Sequence, residues 1–461
     1  MRQRGSGVFL ALAMLFLYQC RPYHVRQRNF VSDIVYEDYP DALRHLEKSD
    51  KKGQRPRNKT LHLLNSAYTH YLMRNWSGAQ ALFLEADRHI EDARKSLGLE
   101  ALSFLVNPSV KPYDPEDFER VMLHYGAGLS YLAERKFESA LVECRRMNLL
   151  LNSLYDQAKE KPKYKADAFG HLLMGLIYEA SGDPNNAFIA YRNAYEIYAG
   201  DYTNFFSVGA PEQLKRDIIR TALKTGFKAE AEYYRNLFGM QEGGREEADA
   251  SLVVFWNNGL VPAKEQWSLD FVILQQNGFI TFSNLNLGIT FTFPSSSVSS
   301  QDAGNLAALK VFRIAFPKFT SRKKTYSNAE VLLEGKRYAF ETAEPLDAIA
   351  HKSLNDRFMR EMGTALLRMA VKKAGEYALR QQNKEAGAVL GLANAITEQA
   401  DTRSWTILPS DVSYARIPLK TGINKLVVKS FRLNGPPRND TIEVNASKGR
   451  IYFESITTLK P

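Results

Sequence analysis

The sequence predicts an α+β chain: an N-terminal α-helical solenoid of repeated hairpins, then a C-terminal antiparallel β-sandwich-like domain with a helical insertion. Three observations predict it. A set of spaced small and large residues recurs between residues 58 and 240. Hydrophobic period 3.6 gives way to period 2 around Gln241-Glu242-Gly243-Gly244. Helical period then returns at about 345–400, between two groups of strand-like segments. At 461 residues the chain is long enough for two or three domains.

The first element is a targeting segment. Arg2 and Arg4 precede the apolar run Val8 to Tyr18, which is too short to span a bilayer and suits a secretory signal. Ala11 and Ala13, the last small residues, lie inside that run, so an ordinary signal-peptidase site is missing. Leu17-Tyr18-Gln19-Cys20 resembles a lipobox, with Gln19 in place of the usual small residue. The expectation is a lipoprotein signal peptide over 1–19 and a diacylglyceryl group on Cys20; an uncleaved anchor or a coincidental cysteine is the alternative. Residues 20–57 read as a linker and first helix. The second of the two cysteines, Cys144, sits in a repeat as a small core residue, so no disulfide framework is expected.

Residues 58–240 carry the repeats. Gly175 is followed by Tyr178, Ala187, Tyr191 and Ala194 at offsets of 3, 12, 16 and 19. Gly128 is followed at the same offsets by Tyr131, Ala140, Cys144 and Met147, and Ala67 by His70, Ala79, Phe83 and Ala86. In a weaker fourth copy Gly226 stands five residues before Ala231, as Gly182 does before Ala187. In a helical hairpin the small residue admits the second helix, the alanine is its counterpart there, and the large residue fills the gap beside them. The pattern resembles the tetratricopeptide repeat (TPR), although His124 and His171 occupy the usual Trp slot and the closing Pro is absent. Such repeats stack into a superhelix with a concave face. Tyr68, Tyr71, Leu129, Leu132, Leu176 and Glu179 are expected on that face, either as a groove for a protein or peptide partner or beneath the chain's own C-terminal part.

Residues 249–461 form the β-rich part. Strands are expected over Ser251–Trp256, Ser268–Leu274, Gly278–Phe282, Gly288–Phe293 and Leu309–Phe316, with Asn258-Gly259 as a turn. Leu354, Phe358, Met362, Leu366 and Met369 mark a helix, and Gly387, Gly391 and Ala395 a second, close-packing one. Strands resume over Asp411–Ile417, Lys425–Phe431, Thr441–Val444 and Arg450–Ser455.

Two stretches carry a family resemblance. One is Asn258-Gly259-Leu260-Val261-Pro262-Ala263-Lys264. The other runs from Glu398-Gln399-Ala400-Asp401-Thr402-Arg403-Ser404-Trp405 through Leu408-Pro409 to Ala415-Arg416-Ile417-Pro418-Leu419 and Gly422. They resemble a poorly characterised family of bacterial TPR-containing envelope lipoproteins with a C-terminal β-rich domain. The resemblance implies a protein of the bacterial cell envelope; with the lipobox-like Cys20, the expected location is lipid-anchored at the outer membrane. The residues themselves suggest that Arg403, Trp405 and Arg416 form a ligand cluster by cation–π stacking; the alternative is a core Trp405 with both arginines on loop carbonyls.

Catalytic chemistry is not expected. HExxH, GxSxG, GxxxxGK[ST] and CxxC are missing from the sequence, and Gly335-Lys336 lacks the preceding phosphate loop. His62 and His70 lie eight residues apart, too far for simple joint chelation. Asp114, Pro115, Glu116 and Asp117 read as a helix start with Asp114 as N-cap and Pro115 in the first helical position. No metal and no cofactor are expected. The net charge of +10 fits a basic surface or attraction to an anionic lipid or glycan; nucleic acid is not an expected partner of an exported chain. The predicted function is an envelope scaffold or adaptor binding a protein or peptide through its repeats, with a glycan- or lipid-binding assembly factor as the alternative.

Overall fold

The computed structural model describes residues 23–50, 56–99, 112–156, 167–240, 248–309, 311–382 and 400–460. The signal segment with Cys20, and the stretch holding Gly387, Gly391 and Ala395, lie outside the described residues.

The helical half is TPR-like by its own repeated geometry. After the short helix α1 (Tyr23–Arg26), helices pair as α2 (Arg28–Val35) with α3 (Tyr39–Asp50), α4 (Lys59–Leu72) with α5 (Trp76–Leu99), and α6 (Asp117–Ala133) with α7 (Phe137–Asp156). They continue as α8 (Ala168–Ala180) with α9 (Pro184–Ile197), then, beyond α10 (Thr203–Phe206), α11 (Glu212–Lys224) with α12 (Lys228–Phe238). Each hairpin turns through one left-handed residue: Glu37, Arg74, Arg135, Gly182 and Gly226, with φ of 64°, 59°, 58°, 89° and 83°. The residue after it donates its N–H to the carbonyl five positions back: Asp38 to Asp33, Asn75 to His70, Lys136 to Tyr131, Asp183 to Tyr178 and Phe227 to Ala222. The hairpin of α2 and α3 thus belongs to the same series, where a linker and first helix were expected. Its turn holds Glu37 rather than glycine, so the usual signal for a positive φ was missing.

Packing inside the hairpins follows the spaced residues. A Cβ added at Gly175 would lie 2.3 Å from the Tyr191 ring, sixteen residues on, whereas one at Gly128 would meet nothing closer than Glu143 Cβ at 3.8 Å; the tight approach on α6 is instead at Gly126, 2.6 Å from Phe83 of the preceding hairpin. Ala79, Ala140 and Ala187 are completely buried. Helix α6 starts at Asp117 rather than at Pro115: Glu119 accepts the Glu116 N–H at 3.0 Å, and Asp114 pairs instead with Arg94 at 2.9 Å.

Among the described residues, the C-terminal half holds three sheets. In the first, β12 (Ile451–Thr458), β1 (Ala250–Asn258), β9 (Asp411–Leu419) and β8 (Glu341–Glu344) lie in that order. The second runs β11 (Arg438–Ala446), β10 (Gly422–Arg432), β6 (Tyr326–Leu333), β7 (Lys336–Ala339). The third runs β4 (Ile289–Pro294), β3 (Phe279–Asn284), β2 (Ala263–Gln276), β5 (Val311–Thr320). Pairing is antiparallel except between β1 and β12, which run parallel from Ser251↔Ile451 to Asn258↔Thr458. Strands β6, β7 and β8 were not expected. The first two meet at a turn through Glu334 and Gly335, both with positive φ, so Gly335 serves a hairpin.

Strand β1 is buried along its whole length because both its faces are covered. Val253 and Phe255 face the helical repeats in one continuous core with Tyr68, Leu129, Leu176 and Trp405. Leu252, Val254 and Trp256, on the alternate face, share a second core with Leu426, Val428 and Ile442 of the second sheet. The third sheet has its own core, where Phe271, Ile280, Phe282 and Phe312 meet Leu306 of α13 (Ser300–Ala308) and Met362, Leu366 and Ala370 of α14 (Leu346–Gln382). Helix α14 is long because it serves two cores: Leu346, Ile349 and Leu354 belong to the repeat core, and its later turns cover the third sheet. Among the described residues, no helix is long and apolar enough to cross a membrane.

Candidate functional site: the seam between repeats and sheet

The inner face of the solenoid is filled by the chain itself. Tyr68, Leu129, Leu132 and Leu176 are at most 5% exposed, Tyr71 is 3% exposed, and all five lie in the core shared with the first sheet. The Glu179 side chain is 5% exposed and paired. These six residues are therefore not an open groove. Of the two readings the helical pattern allowed, the structure adopts the one in which the C-terminal half covers them. The physical reason is area: an apolar helical face and a sheet with one uncovered apolar face both lose exposed surface by meeting.

Nor do Arg403, Trp405 and Arg416 form a ligand cluster; they have separate partners along the seam. Trp405 is fully buried, with its ring edge-on to Tyr68 at 5.9 Å and tilted against Phe83 at 6.3 Å. Arg403 donates to the Arg57 carbonyl at 2.7 Å, pairs with Asp401 at 2.6 Å, and stands 5.4 Å from the centre of the Tyr113 ring. Arg416 leaves β9 toward the later repeats and forks onto Glu179, with Asp217 3.3 Å from Nη1. The expected cation–π contact exists at Arg403, but its ring is Tyr113.

Two buried charge nodes tie the halves together. At the first, Glu119 accepts from the Tyr113 hydroxyl, the Glu116 N–H and, at 2.7 Å, the Trp405 N–H, while Lys264 of β2 pairs with Glu116. Burial, then the adjacent Glu116, pushes the Glu119 carboxyl up to about 7. The two stretches that carried the family resemblance meet at this end: Val261 donates to the Leu408 carbonyl at 2.9 Å and Ser410 to that of Asn258 at 3.0 Å. At the second node, burial acts to raise the Glu179 carboxyl, but Arg416 and Arg220 outweigh it and hold it well below the usual range. Arg220 also pairs with Asp217 at 2.6 Å, and Tyr191 donates to Glu179 at 3.1 Å. The halves are joined further where a π-helical turn over Tyr198–Tyr202 brings Tyr198 to the Ala343 carbonyl at 2.8 Å and Tyr202 to Glu344 at 2.7 Å. Glu341 accepts the N–H of Gln213 at 3.0 Å, placing a carboxylate at the positive end of α11.

The sequence offered little sign of Glu119, Lys264, Asp217 or Glu341. Each is a charged residue whose partner lies more than a hundred positions away or whose carboxylate is buried by a distant segment. The one local trace was the acid-rich start of α6.

Elsewhere, Ser321, Asp347 and His351 converge near the start of α14. The Ser321 hydroxyl donates to Asp347 at 2.8 Å and lies 3.0 Å from His351 Nε2, but Asp347 is 3.9 Å from that same ring nitrogen. Serine and carboxylate thus sit on one side of the imidazole, whereas nucleophile activation needs the carboxylate on the other ring nitrogen. The histidines of the Trp slot are structural. His124 hydrogen-bonds Glu143 at 2.8 Å, and burial lowers the His171 pKa to about 4. Among the described residues, no group of three or more His, Cys, Asp or Glu side chains could hold a metal ion.

No family model matches this sequence, and no curated protein matches it. Among solved structures, the chain is similar to the apo form of RapI, with 11% identity and a TM-score of 0.34 over 47% of this chain and 68% of that one. It is similar to MamA, with 18% identity and a TM-score of 0.26 over 44% and 89%. It is also similar to TTC0263, a thermophilic TPR protein of Thermus thermophilus, with 14% identity and a TM-score of 0.23 over 48% and 91%.

Proposed function

We propose that this chain is a cell-envelope scaffold or adaptor, held at the outer membrane by a diacylglyceryl group on Cys20, that binds a protein partner through its third sheet. The anchoring half rests on the lipobox-like Leu17-Tyr18-Gln19-Cys20 after a short apolar run. The binding half rests on one observation. While the solenoid's inner face is occupied, the outward face of the third sheet presents Leu274 and Phe279, each 48% exposed, beside Val311 at 56%. Register places them together: Val311 pairs with Val272, Leu274 is two residues on along the same face of β2, and Phe279 pairs with Gln276. Clustered apolar side chains on a sheet face mark interaction surfaces. In this reading the repeats act as a brace that fixes the sheets, and the partner is a second envelope protein.

The test is photo-crosslinking in native membranes from position 279, followed by mass spectrometry. Specific adducts that disappear when Leu274 is replaced by Asp support the reading. Adducts unaffected by Leu274→Asp, or no adduct from position 279, overturn it.

A further inference from the structure

The anchorage of Tyr23 carries an inference about the orientation of the folded body, which rests on the lipid-anchor reading of Cys20. Tyr23 is 4% exposed, its backbone N–H donates to the Thr402 hydroxyl at 3.1 Å, and its own hydroxyl accepts from Gln27 at 3.3 Å. Helix α1, which it opens, packs against β2. Cys20 precedes this fixed point by three residues. Three residues span roughly 10 Å at full extension. A compact chain of this length has a radius of gyration of about 23 Å. The tether is therefore shorter than the radius of the body it holds, and a body so held cannot turn freely. One face must lie within the tether's reach of the headgroups.

That face is basic. Val25 is 38% exposed, and Arg26 and Arg28 beside it are exposed. Of the acids farther along the first hairpin, Asp33 pairs with His45, Glu37 with Arg438 and Asp41 with Arg44, Asp38 accepts the Asp41 N–H, and Glu47 is exposed near the end of α3. The tether's full reach is also about one Debye length at physiological salt, so these arginines feel charged headgroups directly.

We propose that the surface around Tyr23, bearing Val25, Arg26 and Arg28, is a membrane-facing surface that docks on anionic phospholipid headgroups. The scaffold is thereby held in one orientation, with the far end of the solenoid at α12 turned away from the bilayer.

The experiment uses the full acylated protein in vesicles of phosphatidylethanolamine with phosphatidylglycerol, and in wholly phosphatidylcholine vesicles. Single cysteines at Val25, at Arg28 or at Tyr233 of α12 carry an environment-sensitive fluorophore; Cys144 is fully buried and does not compete for label. Vesicles doped with a headgroup-level quencher should quench the probe at 25, and likewise at 28, several-fold more than at 233. Reversing both Arg26 and, in the position-25 probe, Arg28 to Glu should reduce that difference at least twofold in the anionic vesicles only. Equal quenching at 25 and 233 in acylated protein would overturn the orientation while leaving the anchor intact. An unchanged difference after charge reversal would overturn the anionic-headgroup contact. Absence of palmitate from the mature chain would overturn the anchor and the orientation together.

Discussion

Arg416 of β9 reaches Glu179 of α8 across 237 residues of sequence, with Nη1 2.7 Å from one carboxylate oxygen and Nη2 3.1 Å from the other. Both side chains are nearly buried, at 9% and 5% exposure, so the pair is a fixed joint between solenoid and sheet. Burying a charge is tolerable only while its partner stays in place. Arg416→Met should therefore destabilise the protein by about 3–5 kcal/mol, since Glu179 and Asp217 would then share Arg220, with only the half-exposed Lys224 3.8 Å from Glu179 beside it. Adding Glu179→Gln should recover most of that loss, because Arg220 and Asp217 still pair. Denaturant unfolding of the two variants checks this; equal losses would mean that charge balance does not govern the joint.

The first node makes stability depend on pH. Glu119 titrates near 7 when folded against an ordinary value of 4.5, so the folded protein holds a proton that the unfolded chain releases earlier. A raised folded pKa contributes stability that is complete below the unfolded value and is lost as pH rises through the folded one. Glu119→Gln should flatten the stability profile between about pH 4.5 and 7, removing a slope on the order of 3 kcal/mol in total. Unfolding midpoints measured across that range decide it; a profile as steep in the variant as in the parent would show that another group titrates.

Close approach within the hairpin of α8 and α9 is equally testable. Gly175→Ala places a methyl group 2.3 Å from the Tyr191 ring, which is fully buried and cannot swing away. Overpacking of this kind costs about 1–3 kcal/mol. Tyr191→Leu in the same chain should make Gly175→Ala nearly neutral, because the ring that it strikes is gone. A thermal melt of the single and double variants gives the comparison.

Tyr68→Ala and Trp405→Ala should behave as core deletions, each losing about 3–5 kcal/mol, with early cleavage of the solenoid in limited proteolysis. Loss of partner adducts without loss of stability on Tyr68→Ala would instead revive an open inner groove. The pair also couples: the rings are in contact, so the double variant should lose less than the sum of the two singles.

Legibility in the sequence divides along physical lines. The hairpins were readable because packing two helices needs a small residue opposite a large one at constant offsets, as Gly175 and Tyr191 show. The turns at Arg74, Arg135 and Glu37 escaped because a non-glycine residue in the left-handed region leaves no trace in residue type. Strands β1 to β5 and β9 to β12 were readable from alternation and turn residues. Strand β8, four residues long and partly exposed, has no pattern of its own and exists because β9 pairs with it.

The sequence by itself determined which surfaces are apolar and at what period: a solenoid of helical hairpins, then strands, then one long helix between strand groups. Hydrophobic periodicity reports that a face must be covered and says nothing about what covers it. Only the tertiary structure decided that Tyr68, Leu129 and Leu176 lie beneath the first sheet rather than a partner, and that Arg403, Trp405 and Arg416 serve three different contacts along one seam. Those outcomes depend on charges and rings brought together from opposite ends of the chain, and such encounters are a property of the folded arrangement, which no local window of residues contains.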